Sequence, residues 1–276
     1  MPSSYEVGEE FVEVGGLRTH LWRGGTGPIL LMLHGQLPGS CVAFEWGEHP
    51  QRFARAGFCV YAPDVAGFGQ TENPADHSIE TRIRHIRALV DHFGFDRYSI
   101  WGSSMGGYMA CALALEDARV ADLVLMPSSV LPPPLEVAPV VPPLLANFGE
   151  VVGSYAANAE SARRLLQYVM YRKDLVTDER VKLFVENSIG KNLEAARGRA
   201  QAGRPKPLHG ELHRLRNRTL LLWGAEDSPE RALLLQRCIP GAELHLLQHC
   251  LHWPQVEYAD RTFELVRDFL NRGGHA

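Results

Sequence analysis

The stretch Gly102-Ser103-Ser104-Met105-Gly106 constrains this chain more than any other. It follows a short run of strand character, Arg97 to Trp101, and a helical pattern from Tyr108 to Leu115 follows closely behind it. A strand that turns so sharply into a helix tolerates only small residues two positions either side of its central serine. It also lifts that serine's oxygen clear of the backbone. Ser104 then stands at a helix N-terminus, where free N–H groups and the helix dipole favour negative charge. The same pentapeptide also fits a plain Gly/Ser loop. The choice rests on whether a base and an acid follow in the order such a turn requires.

The flanking sequence supplies a sheet to carry the turn. Phe11 to Val14 and Leu17 to Trp22 surround Gly15-Gly16 as a hairpin. Pro28 to Leu33, Phe58 to Ala62, Ala121 to Met126, Arg218 to Trp223 and Glu243 to Leu247 are apolar runs of strand length. Runs without polar alternation belong to strands buried on both faces, as in a parallel sheet. Helical patterns lie between them. The clearest begins at Ser78, a plausible N-cap, and repeats Ile79, Ile83, Ile86, Leu89, Val90 and Phe93 at helical spacing. Glu48 to Ala56, Arg231 to Cys238 and Asp260 to Leu270 read as further helices. Strands alternating with helices predict an α/β fold with a mostly parallel sheet covered on both faces.

After Met126 the pattern changes. Pro127, Pro132, Pro133, Pro134, Pro139, Pro142 and Pro143 break regular structure. From about residue 145 to 204 only helices are expected, Glu160 to Tyr171 and Thr177 to Ile189 being the clearest and Leu193 to Ala202 weaker. The expected organisation is therefore a core formed by 1–130 and 208–276, with 131–207 inserted as a helical cap or lid.

Composition excludes several other classes. The 276 residues carry a net charge of -4, and their Lys and Arg are scattered, so nucleic acid is not an expected partner. The five cysteines are far apart, without metal-ligand spacing or a disulfide framework, which suits a reducing cytoplasm. The polar, acidic start is unlike a signal peptide, and no apolar run is long enough to span a membrane. Asp64 with Gly67-Phe68-Gly69 lacks the Lys and full Gly pattern of a phosphate loop and reads as a structural turn. No cofactor and no metal are expected; a homo-oligomer stays open.

A serine hydroxyl needs a base, and the base needs a carboxylate to orient it. His252 is the candidate base, because it falls between the final strand and the final helix; His249 is its neighbour and competitor. Asp227 is the candidate acid, just past the strand that follows the insertion, where capping the helix near Pro229 is its alternative role. Glu226 is the alternative acid. The order Ser104, Asp227, His252 is the one expected with a G-x-S-x-G turn. An anionic tetrahedral intermediate also needs donors placed in advance. The backbone N–H of Met105 is one, and that of Gln36, in the loop His34-Gly35-Gln36, is the other. His34 is expected to brace that loop.

These residues resemble the α/β-hydrolase superfamily over nearly the whole chain. Within it, Ser104-Met105-Gly106-Gly107, Gln36-Leu37-Pro38-Gly39-Ser40 and His252-Trp253-Pro254-Gln255-Val256-Glu257 are similar to the meta-cleavage product hydrolases. The resemblance implies hydrolysis of a carbon–carbon bond in a vinylogous 1,5-diketone made by aromatic ring cleavage. It also implies that Trp253 lines the substrate pocket; packing under the last helix is its other reading. Three positions depart from the family. Ser103 stands where an Asn precedes the nucleophile, Glu45 where an Asn lies in the oxyanion loop, and Phe184 where a cap Arg binds the substrate's dienolate or carboxylate. Each change removes a group that would hold a small anionic dienolate. A less anionic, larger carbonyl substrate is therefore expected: an ester, a lactone or a modified diketone. Carboxylesterase or lactonase activity is the alternative within the class. Outside it stand a ligand-binding receptor and a non-hydrolytic enzyme on the same fold.

Overall fold

The computed structural model describes residues 5–128, 130 and 147–273. Pro132 to Pro143, and with them the expected boundary at 131, lie outside the described residues. The fold is built on one eight-stranded sheet of order β1-β2-β4-β3-β5-β6-β7-β8. Its strands are β1 (Val7–Val14), β2 (Leu17–Gly24), β3 (Ile29–Leu33), β4 (Cys59–Pro63), β5 (Tyr98–Ser104), β6 (Val120–Ser128), β7 (Arg218–Gly224) and β8 (Glu243–Leu247). The β1/β2 and β2/β4 pairs are antiparallel and every other pair is parallel. Because β3, β5, β6 and β7 run the same way, their carboxyl ends share one edge, where ligands bind in open α/β sheets.

Helices cover both faces. They are α1 (Val42–Trp46), α2 (His49–Arg55), α3 (Ile79–His92), α4 (Met105–Glu116), α5 (Phe148–Gly153), α6 (Ala159–Val169), α7 (Asp178–Glu186), α8 (Lys191–Gln201), α9 (Pro229–Cys238), α10 (Pro254–Glu257) and α11 (Ala259–Asn271). One core joins the sheet to α3, α4 and α9 through Ile86, Leu89, Met109, Leu113 and Leu235; the other joins it to α2 and α11 through Phe53, Val266 and Phe269. The helices α5 to α8 are inserted between β6 and β7, as the sequence pattern predicts. A third apolar cluster, with Leu37, Phe44, Leu166, Val169, Phe184 and Trp253, ties that insertion to the loops at the sheet edge.

Local sequence accounts for most boundaries. The Ser78 side chain accepts the Thr81 N–H and starts α3, and Thr177 does the same for α7 through Arg180. Gly15 and Gly16 both take positive φ, which lets β1 turn directly into β2. The structure departs from the sequence reading on α3, whose buried face includes Arg82 and His85 beside Ile79, Ile86 and Leu89. The short helix α1 is also absent from that reading.

Asp64 bears out its reading as a structural turn. Its carboxylate contacts His20 Nδ1 at 2.8 Å and accepts the backbone N–H groups of Val42 and Gln70, each at 2.8 Å. Burial alone would raise its pKa, but the bond to His20 and the charges of His34 and His20 hold it below the ordinary carboxylate value. Gly69, at φ 47°, passes so close that a β-carbon there would lie 2.0 Å from Asp64 Oδ2. Asp64→Ala leaves the buried His20 ring and Val42 N–H, with the Gln70 N–H, without their partner. It should lower folding stability by about 3–5 kcal/mol, read as a shift in the urea unfolding midpoint. Because the native carboxyl titrates below its unfolded value, the wild type's advantage over this variant should shrink as pH falls through the acid range.

Candidate active site

Ser104 ends β5 and caps α4 with φ 52° and ψ -114°. A non-glycine residue in this region stores about 1–3 kcal/mol of strain, which the surrounding packing must hold. Three glycines allow the turn to close. A β-carbon on Gly106 would lie 2.0 Å from the Leu33 carbonyl oxygen, one on Gly102 would lie 2.5 Å from the Gly106 oxygen, and one on Gly107 would lie 2.5 Å from Ser128 Cβ. The spacing read from the sequence is thus a steric requirement at both flanks.

The two distant residues meet as expected. His252 Nδ1 and Asp227 Oδ2 are 2.6 Å apart. His252 is largely buried, and its Nε2 has no hydrogen-bond partner among the described residues, so the Ser104 hydroxyl is not bonded to it in this arrangement. Catalytic hydrogen bonds are often slack before substrate arrives. Burial disfavours the imidazolium, but the charge and hydrogen bond of Asp227, with the charges of Glu45 and Glu257, outweigh it and raise the His252 pKa above 6.5. Glu226, the alternative acid, instead accepts the backbone N–H groups of His249 and Cys250 at 3.0 and 2.9 Å and fixes the loop leading to His252. The alternative capping role for Asp227 is not taken up: Ser228 is the N-cap of α9, with no side-chain cap bond. His249 is drawn to the surface, where its ring lies 5.2 Å from that of Tyr171.

The loop after β3 approaches from the other side. A β-carbon on Gly35 would be 3.1 Å from Ser104 Cβ and 3.1 Å from Glu45 Oε1, so Gly35 separates the serine from a buried carboxylate. Glu45 accepts the Gly35 N–H with both oxygens at 3.0 Å and the Ser40 hydroxyl at 2.6 Å. His34 braces the loop as expected: its Nδ1 lies 2.8 Å from the Gly35 carbonyl oxygen, and its Nε2 accepts the Val65 N–H at 3.0 Å. The backbone N–H groups of Gln36 and Met105 have no protein acceptor among the described residues.

The remaining candidates divide into two groups. Ser103 is buried behind the nucleophile, and its Oγ accepts Gln255 Nε2 at 3.4 Å. Gln255, four residues after a catalytic candidate pair's histidine loop begins at Leu251, was absent from the sequence reading of the site, although it stands in the quoted His252–Glu257 run. Trp253 and Phe184 are buried and both pack edge-on against Phe44, at 5.4 and 5.1 Å between ring centroids. Trp253 thus sits in the apolar cluster between the insertion and the sheet edge, and not in the core under the last helix. The imidazole loop is also tied to the insertion: the His252 N–H donates to the Val169 carbonyl at 3.1 Å, and Glu257 accepts the N–H groups of Leu251 and Arg172, each at 2.8 Å. Among the described residues no cluster of His, Cys, Asp and Glu could hold a metal ion, and no helix is long and apolar enough to cross a membrane.

Comparison with known proteins bears on the family and the fold. Residues 28–259 match the family described as the alpha/beta hydrolase fold. The chain is 33% identical to the 2-hydroxymuconate semialdehyde hydrolase of Pseudomonas sp. (strain CF600), covering 97% of this chain and 95% of that protein. It is 29% identical to the 2-hydroxy-6-oxo-2,4-heptadienoate hydrolase of Pseudomonas putida, covering 96% of each. Among solved structures, a mutant meta-cleavage product hydrolase from Pseudomonas fluorescens IP01, complexed with acetates, superposes with a TM-score of 0.84 at 28% identity. That match covers 97% of this chain and 99% of the other.

The strain at Ser104 gives a test independent of any assay. Ser104→Gly should raise the stability by about 1 kcal/mol, seen as a higher urea unfolding midpoint, because glycine takes this backbone conformation at no steric cost. Gly106→Ala should do the opposite and lower the yield of folded protein.

Proposed function

The chain belongs to the α/β-hydrolase family, and we propose that it hydrolyses a carbon–carbon bond in a vinylogous 1,5-diketone, using Ser104 as nucleophile, His252 as base and then acid, and Asp227 as orienting acid. The observation that carries this reading is the 2.6 Å contact between His252 and Asp227, across the sheet edge from a serine held in a strained turn. The names of the relatives support the carbon–carbon bond over an ester, since they are hydrolases of 2-hydroxymuconate semialdehyde and of 2-hydroxy-6-oxo-2,4-heptadienoate. The substrate is a small molecule that enters between the sheet edge and the inserted helices α5 to α8, which act as the lid.

In this mechanism Ser104 Oγ bonds to the carbonyl carbon and its proton passes to His252 Nε2. The carbonyl oxygen becomes an oxyanion between the Gln36 and Met105 N–H groups; losing one such donor costs about 3 kcal/mol of barrier lowering. The intermediate collapses by breaking the bond to the adjacent carbon. That carbon's electron pair is delocalised into the conjugated ketone of the substrate, and His252 returns the proton to it. Water then attacks the acyl-serine ester, gives its proton to His252, and the acid leaves as the proton goes back to Ser104. The electron sink comes from the substrate, so the same residues acting on a molecule without one would manage only esters.

Ser104→Ala should abolish fluorophosphonate labelling and cut turnover by several powers of ten. The wild type should process a ring-cleavage dienone with a higher kcat/KM than a short p-nitrophenyl ester; the reverse order would make it an esterase. Because His252 must be neutral to accept a proton, activity should fall on the acid side with a midpoint above 6.5. Asp227→Asn should move that midpoint down and lower kcat by on the order of 10⁴.

A further inference from the structure

The apolar stripe of α3 is interrupted by an arginine. Arg82 is 5% exposed, and its partners are neutral: its Nη1 donates to Gln36 Oε1 at 3.3 Å and its Nε to the Ser78 carbonyl at 3.4 Å. Arg199 reaches in from α8. Its Nη1 donates to the Gly67 carbonyl at 2.9 Å, and its guanidinium lies 3.8 Å above the Phe68 ring. Neither arginine has an ion-pair partner among the described residues. Burial lowers the pKa of both, Arg82 to about 10 and Arg199 to about 9, with the charge of Arg82 adding to the effect on Arg199; both stay cationic at neutral pH.

Both arginines line one cavity of about 230 Å³, with Gln36, Glu80 and Arg204 also on its wall. Positive charge is therefore in excess there. A buried cation without a counter-ion is costly, and an anionic ligand supplies what the protein does not. The planar fork of arginine fits a carboxylate in two parallel hydrogen bonds. Arg82 has only donors to offer, so it faces the Gln36 oxygen and leaves the amide nitrogen of that side chain free to donate in turn.

We propose that Arg82 and Arg199, with the Gln36 amide, form a carboxylate-binding subsite beside the oxyanion loop, and that the substrate docks an anionic tail there while its carbonyl meets Ser104. This rests on the reading of Ser104 as nucleophile, because Gln36 belongs both to the cavity wall and to the loop opposite that serine. The subsite is built from α3 and α8. It accounts for the loss of acid-holding groups at Ser103, Glu45 and Phe184, since the counter-charge is supplied from other elements. The proposal replaces the expectation, drawn from those three positions, of a less anionic substrate.

The test is calorimetric binding of 2-hydroxy-6-oxo-2,4-heptadienoate and of its methyl ester to Ser104→Ala. The same two titrations are repeated with Arg199→Gln, Arg199→Lys or Arg82→Gln added. The carboxylate should bind at least ~10-fold tighter than the ester, as expected for hydrogen bonds to a charged group. That ratio should collapse in Arg199→Gln and Arg82→Gln and recover in part in Arg199→Lys. A ratio near one in the parent, or one that persists in Arg199→Gln, overturns the subsite. Should Arg82→Gln fail to fold, Arg199→Gln on the less buried α8 decides alone. Turnover of the dienoate by Ser104→Ala would instead overturn the nucleophile, and the binding ratios would still judge the arginines.

Discussion

A backbone-to-backbone contact governs the geometry of this protein. The first turn of α4 lies so close to the end of β3 that a single β-carbon on Gly106 would collide with the Leu33 carbonyl. The contact fixes the distance between the strand end that leads into His34-Gly35-Gln36 and the turn that holds Ser104. A loop brought this near could drift, but His34 bonds across to Gly35 and Val65, and Glu45 takes the Gly35 N–H with both its oxygens. Strain at Ser104 persists because everything around it is over-determined.

Charge is distributed unevenly around that contact. At the imidazole end three buried carboxylates, Asp227, Glu45 and Glu257, each accept hydrogen bonds, and together they outweigh the cost of burying a charged His252. At the Gln36 end stand the buried Arg82 and the half-buried Arg199. The surroundings of the loop after β3 therefore run from negative to positive.

Much of this was legible in the sequence where local chemistry decides the outcome. The mostly parallel sheet, the insertion after β6 and the contact between residues 227 and 252 follow from apolar runs, turn sterics and chain order. Of the two neighbouring acids it is Asp227 that touches His252, while Glu226 is occupied by two backbone N–H groups. What escaped depends on partners distant in the chain. Arg82 falls three residues after Ile79 and four before Ile86, on the buried stripe, and that misfit in the pattern was the available signal. Gln36 and Arg199, its neighbours in the cavity, lie 46 residues before and far beyond it. Trp253 could pack under the last helix or line a pocket on sequence grounds, and its neighbours prove to be Phe44 and the inserted helices, which no local pattern announces.

The hydrogen bond from the His252 backbone to Val169 has a mechanical consequence. The base is suspended from the end of α6, so its position is set by the overlying helices as much as by the sheet. If those helices swing outward, the imidazole goes with them or loses its tether. An outward swing of α6 would thus act on the histidine loop through the main chain itself, and not only through side-chain packing.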